Sequence, residues 1–344
     1  MKAIVKYARG KGFVEVRDVP MPQPGPGEVR VKVAYAGICA SDLHILNDDI
    51  AFSIRTPVVM GHEFSGTVDA LGAGVEGWRP GERVVSETSF EVCGACRYCA
   101  TGAYHLCPGR KVIGYWYDGV FASYTVVPAR RLYRLPAGIG FKAAALAEPT
   151  ACVVHGMCEI LPVDRGERVL VSGPGAIGLT AVQVAKAAGA TVLVAGTADD
   201  RARLQLAGKL GADATVDVTA GSLADAVRDF TGGAGVDVAV ECSGSDRAVR
   251  SAVESLRRQG RLLQLGLHGR DMQVPWDTIA YKELVVRGSI SSRDVSWRRT
   301  LELVERGDVK PESLVSGEFP LEAWEEAFRM HADRTGLKIL FKPE

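Results

Sequence analysis

Along the first 150 residues, apolar and polar positions alternate in short bursts. VRVKVA (Val29–Ala34) alternates as a half-buried strand requires, and Phe64–Ala70 and Val84–Ser86 are further short strand candidates. Turn signals rich in Gly and Pro separate them: PQPGPGE at Pro22–Glu28, LGAGVEG at Leu71–Gly77 and RPGE at Arg79–Glu82. Many short strands joined by such turns predict a compact, barrel-like β-domain. Near residue 150 the period changes. RVLVS, TVLVAG, ATVDV, VDVAVE, RLLQLG and ELVVRGSI read as strands. Helical patterns lie between them: AIGLTAVQVAKAAG, DRARLQLAGKLG, a stretch near Leu223–Phe230 and another near Arg247–Leu256. Six strands with intervening helices predict a doubly wound parallel sheet, so the fold class is α/β. After about residue 290 come two amphipathic helical stretches, SWRRTLELVERG and LEAWEEAFRMHAD, and a strand, LKILF.

Composition narrows the partners. A chain of 344 residues suggests about two domains, and 47% apolar with 24% charged residues is ordinary for a globular protein. Forty-one basic residues balance 41 acidic ones, so no basic field attracts nucleic acid or a membrane surface, and neither partner is expected. The opening MKAIVKYARGKGF carries charges too closely spaced for a signal peptide. Val169–Ala185 is uncharged and approaches membrane-span length. It contains Gly-Pro-Gly, Ser172, Thr180 and Gln183, and reads as a buried strand, turn and helix instead. A cytoplasmic, reducing location is expected. There, eight cysteines point to metal ligands and small buried residues more than to disulfides.

Four of those cysteines stand together in CGACRYCATGAYHLC, at Cys93, Cys96, Cys99 and Cys107. Cysteines two residues apart rarely reach disulfide geometry with each other, whereas four thiolates suit a tetrahedral metal. An iron–sulfur cluster is the rival reading, because C-x2-C-x2-C-x3-C-P begins in the same way and Pro108 follows the last cysteine here. An unmetallated loop is the third. Further along, Gly173-Pro174-Gly175-Ala176-Ile177-Gly178 is a G-x-G-x-x-G between a predicted strand and a predicted helix. In that context the first glycine permits the turn, the second admits a pyrophosphate and the third allows helix and strand to pack closely. The second strand then ends in Gly196-Thr197 rather than in the acid that usually holds an NAD ribose. Asp199, Asp200, Arg201 and Arg203 follow, a set that leans toward NADP, with Asp199 as an NAD ribose ligand and the arginines as a solvated helix face the alternatives. Cys, His and carboxylate candidates for a zinc site occur in GICASDLH (Cys39, Ser41, Asp42, His44), MGHEFSG (His62, Glu63) and ALAEPTA (Glu148). Singly, each is more often structural. In combination with a nucleotide fold they point to chemistry.

These motifs, in this order, resemble the zinc-dependent medium-chain dehydrogenases, the group that contains alcohol, sorbitol and threonine dehydrogenases. The resemblance runs from VRVKVAYAGICASDLH through GHEFSGTV and the cysteine lobe to GPGAIGL. It implies a GroES-like β-rich catalytic domain (residues 1–150 and 291–344), a Rossmann domain (151–290) and an active site in the cleft between them. It implies two zinc ions. Cys93, Cys96, Cys99 and Cys107 would hold a closed structural one. Cys39 and His62 would hold the catalytic one, with Glu63 and Glu148 each as a direct ligand or close beside it. Ser41 would take the proton of a secondary alcohol and pass it toward His44 and solvent, as hydride goes to NAD or NADP. Thr197 and Arg201 fall at the ribose end of the cofactor. Cys242, Ser243, Leu265 and Leu267 fall at its nicotinamide end, with Cys242 itself read as packing. A polyol or sugar alcohol is the favoured substrate and an amino alcohol such as L-threonine the alternative. The family also implies a homodimer or homotetramer. Tyr115, Trp116 and Tyr117 either line the substrate cleft or form an exposed hairpin.

Overall fold

The alternation around Val29 becomes a ten-residue strand, Glu28–Gly37, with Val29, Val31 and Val33 buried and Lys32 exposed. In the computed structural model, which describes all 344 residues, the contacts divide the chain into two units. The first comprises Met1–Pro149, Ser292–Leu301 and Pro311–Glu344, the second Thr150–Ser291 and Glu302–Lys310. The segment Glu302–Lys310 belongs to the second, where the Lys310 N–H donates to Gln183 Oε1 at 2.7 Å.

In the first unit, a seven-stranded sheet runs Leu132–Arg134, Arg83–Ser86, Glu63–Leu71, Glu28–Gly37, Lys338–Phe341, Val315–Phe319, with Tyr124–Pro128 also paired to Glu28–Gly37. A three-stranded sheet, Val14–Asp18, Lys2–Lys6, Val58–Val59, completes the β-rich body. Two registers matter for function. Gly37 lies opposite Glu63, and Leu340 of the C-terminal strand lies opposite Gly37. A strand from the far end of the chain is thereby set beside the segment that leads to Cys39. The buried apolar faces of these strands form one core, in which Phe121 meets Phe341 edge-on at 4.9 Å.

In the second unit, six parallel strands stand in the order Ala214–Asp217, Thr191–Gly196, Arg168–Ser172, Val236–Glu241, Leu256–Gln264, Val285–Gly288. Numbered along the chain this is 3-2-1-4-5-6, the dinucleotide-binding order of the Rossmann fold. The first strand is a run of fully buried residues, Val169, Leu170 and Val171, as a central parallel strand covered on both faces must be. The helix near Arg247 ends one residue earlier than its pattern suggests, at Ser255, because Leu256 already opens the fifth strand. No helix is long and apolar enough to cross a membrane.

Candidate active site

Cys39 follows the strand Glu28–Gly37 and precedes the helix Ala40–Asn47, while His62 and Glu63 stand at the start of the neighbouring strand. Strand pairing therefore brings the three together, and one ligand atom from each lies within 4.8 Å of the others. Asp42, wholly buried on the first turn of the helix, holds one of them and faces a second. Its Oδ2 accepts the Cys39 N–H at 2.9 Å, and its Oδ1 faces His62 Nδ1 at 3.9 Å. Burial pushes the Asp42 carboxyl up to about 6, against the opposing pull of His62. Sequence reading saw Asp42 only as part of a motif. Its signal was an acid three residues after Cys39, where a side chain can reach back to the backbone N–H that starts the helix.

A thiol, an imidazole and a carboxylate form a donor set suited to zinc, with a fourth position left for substrate. The surroundings fit such a cation. Burial disfavours a protonated His62, yet Cys39, Asp42 and Glu148 outweigh it and hold the ring's pKa up at about 10. Ser41 Oγ, Asp42 Oδ1 and His62 Nδ1 are buried without a hydrogen-bond partner in the protein. A site this anionic, with polar atoms unpaired within the protein, fits a cation.

Glu63 is already engaged. Lys338 Nζ donates to its Oε1 at 2.8 Å and its Oε2 at 2.5 Å, and also to the Ile38 carbonyl at 2.7 Å. Burial works against the ammonium, but Glu63, with Cys39 and Glu148 behind it, raises the Lys338 pKa overall. No sequence motif marked Lys338. Only the register of the C-terminal strand brings it here, and a side chain on Gly37 would collide with the Glu63 carboxylate. Glu148 lies on the helix Ala147–His155, outside the set of three. Burial raises its pKa, and the charges of His62 and Lys338 oppose that rise. Tyr115 packs its ring against His62, 5.6 Å between centroids. Tyr117 instead stacks on Phe90 at 3.8 Å and donates to Glu91, and both tyrosines are half-buried against the core rather than on an exposed hairpin. His44 is exposed, its Nδ1 2.8 Å from Asp49 Oδ1.

The cysteine lobe is separate. All four sulfurs lie within 4.8 Å of one another, with 3.6 Å between Cys96 and Cys99 and 3.9 Å between Cys93 and Cys99. Sulfurs at roughly 2.3 Å from one ion, placed tetrahedrally, are about 3.8 Å apart, whereas a disulfide needs about 2.05 Å. The backbone supports thiolates as well: the Cys96 N–H points at Cys93 Sγ (3.3 Å) and the Cys93 N–H at Cys107 Sγ (3.4 Å). With four sulfurs converging, such a site has no open position for substrate. Buried Glu87 anchors the lobe, accepting the Tyr104 hydroxyl at 2.7 Å, the Tyr133 hydroxyl at 2.5 Å and Arg131 at 3.2 Å. His105 is buried within the lobe. Outside it, His155 pairs with Glu159 at 3.2 Å on the helical run that also carries Cys152 and Cys158, in keeping with packing.

In the second unit the glycine turn has the shape a dinucleotide needs. Gly173 holds φ at 91°, and a Cβ there would stand 2.7 Å from Ser243 Cβ. A Cβ on Gly178 would strike the Gly173 carbonyl, so this position sets how closely the helix packs. Beyond Gly175, which opens the helix Ala176–Ala187, the space is empty, as a phosphate cradle at a helix N-terminus requires. Past the second strand, the N–H and hydroxyl of Thr197 both donate to Asp200 Oδ2, at 3.0 and 2.9 Å. Asp200 is turned into its own loop, with Arg203 3.7 Å from its other oxygen, while Arg201 is exposed. At the other end, burial drives the Cys242 pKa well up, in keeping with packing. Leu265 packs over Gly156, and Leu267 is 73% exposed.

Comparison with known proteins agrees with both halves. Residues 25–137 match the alcohol dehydrogenase GroES-like domain, and residues 176–306 match the zinc-binding dehydrogenase domain. Sorbitol dehydrogenase of Halalkalibacterium halodurans is 39% identical, covering 100% of this chain and 99% of that protein. D-arabitol-phosphate dehydrogenase of Enterococcus avium is 37% identical, over 99% and 97%. A zinc-binding dehydrogenase from Sinorhizobium meliloti, solved bound to NADP, superposes with a TM-score of 0.91 at 33% identity, covering 99% of each chain.

Proposed function

Because the chain belongs to the zinc-binding dehydrogenases with a GroES-like domain, we propose that it oxidises a secondary alcohol of a polyol or sugar alcohol to the ketone, with NAD(P) as hydride acceptor. The observation that carries this reading is the convergence of Cys39, His62 and Glu63, one ligand atom of each within 4.8 Å of the others. The sorbitol and arabitol-phosphate relatives support the substrate class. A zinc ion held by Cys39, His62 and one of the two glutamates would polarise the alcohol oxygen and ease loss of its proton. Ser41 is the residue to relay that proton, its buried hydroxyl accepting it while passing its own onward. Exposed His44 stands where a proton reaches solvent. Asp42 orients His62, and Lys338, by occupying both oxygens of Glu63, leaves the thiol and imidazole as the less encumbered donors. The cysteine lobe holds a second, structural ion, and its sulfur spacing supports a single metal over a cluster.

For the cofactor we favour NADP modestly. Asp200 is turned inward, which leaves exposed Asp199 as the acid on this loop for a ribose hydroxyl and exposed Arg201 as the cation for a 2′-phosphate. The sixth strand, Val285–Gly288, leaves Val285 and Val286 45% and 41% exposed on an unpaired sheet edge. That edge supports pairing with a second copy across a two-fold axis, and a solution mass of at least two chains by light scattering is the expected result.

The deciding experiment is a panel of polyols, L-threonine and simple alcohols, each with NAD and NADP, followed by absorbance of the reduced cofactor. Chelator-sensitive turnover of a polyol is expected; turnover of threonine alone would sink the substrate class. In the same assay, Arg201→Ala should raise KM for NADP about 10-fold, as expected for one lost charged contact, and leave KM for NAD within about two-fold. Equal changes for both cofactors would remove the argument for NADP.

A further inference from the structure

Glu241 ends the fourth strand of the parallel sheet and is completely buried. Its carboxylate accepts four hydrogen bonds: from the Ser243 N–H at 2.7 Å, the Ser243 hydroxyl, the Gly244 N–H at 3.2 Å and the Gln264 side-chain amide at 2.7 Å. All four donors are neutral. Its backbone carbonyl accepts the N–H groups of Leu265 and Gly266, each at 2.9 Å. Gln264 also donates to the Gly266 carbonyl at 2.8 Å, closing a knot between the turns that follow the fourth and fifth strands. The packing leaves no slack. A Cβ on Gly266 would stand 2.6 Å from Glu241 Oε2, and one on Gly244 would collide with the Leu267 carbonyl. Ser243, held by the carboxylate, also backs Gly173 of the glycine turn.

In a sheet of this order the two halves of a dinucleotide divide at the first strand. The adenosine half lies over the second and third strands, and the nicotinamide half over the fourth and fifth. The knot is wholly on the nicotinamide side. A buried carboxylate with only neutral donors is costly to keep unless its hydrogen bonds hold something in place. We propose that Glu241 is a positioning residue for the nicotinamide half of the cofactor, holding the Cys242–Gly244 and Leu265–Leu267 turns in the one arrangement that receives it. This rests on the dinucleotide reading of the glycine turn and is independent of the alcohol.

The test is Glu241→Gln, which keeps the volume but sets an NH2 group against the Gly244 N–H or the Gln264 amide. Affinities for NADH and NADPH are measured by fluorescence and for 5′-AMP by calorimetry, together with the thermal midpoint. Dinucleotide affinity should fall about 10- to 100-fold while 5′-AMP affinity stays within about three-fold, since one carboxylate-centred cluster is broken on one side of the sheet only. Gln264→Met, which spares the carboxylate and removes the arm between the turns, should give the same split at about 3- to 10-fold, and keeps the test open if the first variant does not fold. The proposal is overturned if both affinities fall together, or if only the thermal midpoint moves. A wild-type chain that binds neither nucleotide sinks the dinucleotide reading itself, a different failure from variants that bind both without a split.

Discussion

Replacing Cys39 with alanine is expected to cut kcat/KM by about 1,000-fold or more and to remove one of two bound zinc equivalents, with the fold intact. Several kcal/mol of polarisation by a metal ion are at stake, and each 1.36 kcal/mol is about a factor of ten in rate. The fold should survive because Cys39 contributes little to the core. It is half-buried, and its structural contact is the backbone N–H donated to Asp42, which alanine keeps. His62→Ala should lose the same zinc equivalent. Metal analysis beside steady-state kinetics and a thermal melt is the check. Full activity with two zinc equivalents retained would exclude Cys39 as a ligand and leave the reading of this pocket without its strongest donor.

The second large effect concerns stability. Lys338→Met should destabilise the chelated protein by about 3–5 kcal/mol, because it strands the Glu63 carboxylate in a buried site without its counter-charge. With zinc present the loss should be smaller, since the ion offers Glu63 another positive partner. Adding Glu63→Gln to Lys338→Met should recover most of the loss, because the stranded charge is the source of the penalty rather than the missing contact. Denaturant unfolding of the three variants, with and without chelator, measures this. If Lys338→Met is as stable as the wild type after chelation, the pair does not carry the charge balance described above. If the double variant is no better than the single, packing by the lysine stem is the larger contribution.

Much of the molecule was legible along the chain because the relevant physics is local. Alternation at Val29–Ala34 reports one buried face of a strand, and the switch from short alternating runs to strand–helix repeats marks where the parallel sheet begins. The glycine turn was readable because Gly173 and Gly178 answer nearby steric demands, as Gly178 shows against the carbonyl of Gly173, while Gly175 leaves open space at the helix start. The cysteine lobe was readable because its four ligands come from one short segment. Its spacing left cluster and single ion open, however, and the distances between sulfurs were needed to weigh them.

What the chain did not show is long-range. Lys338 and Glu63 are 275 residues apart and meet only because the C-terminal strand enters the first unit's sheet beside Glu28–Gly37. Neither residue carries a pattern that predicts the other. Asp42 stood in a motif and Glu241 at the end of an expected strand, yet whether each carboxylate points inward to its neighbours or outward to solvent is decided by packing. The roles of Tyr115 and Tyr117 likewise separated only when one ring was placed against His62 and the other against Phe90. Sequence by itself determined the element types and the candidate donors for a metal and a dinucleotide, since these follow from local periodicity and side-chain type. Tertiary structure alone decided which charges neutralise one another and which donors are left for a metal. Those outcomes depend on distances between segments, and strand register sets them.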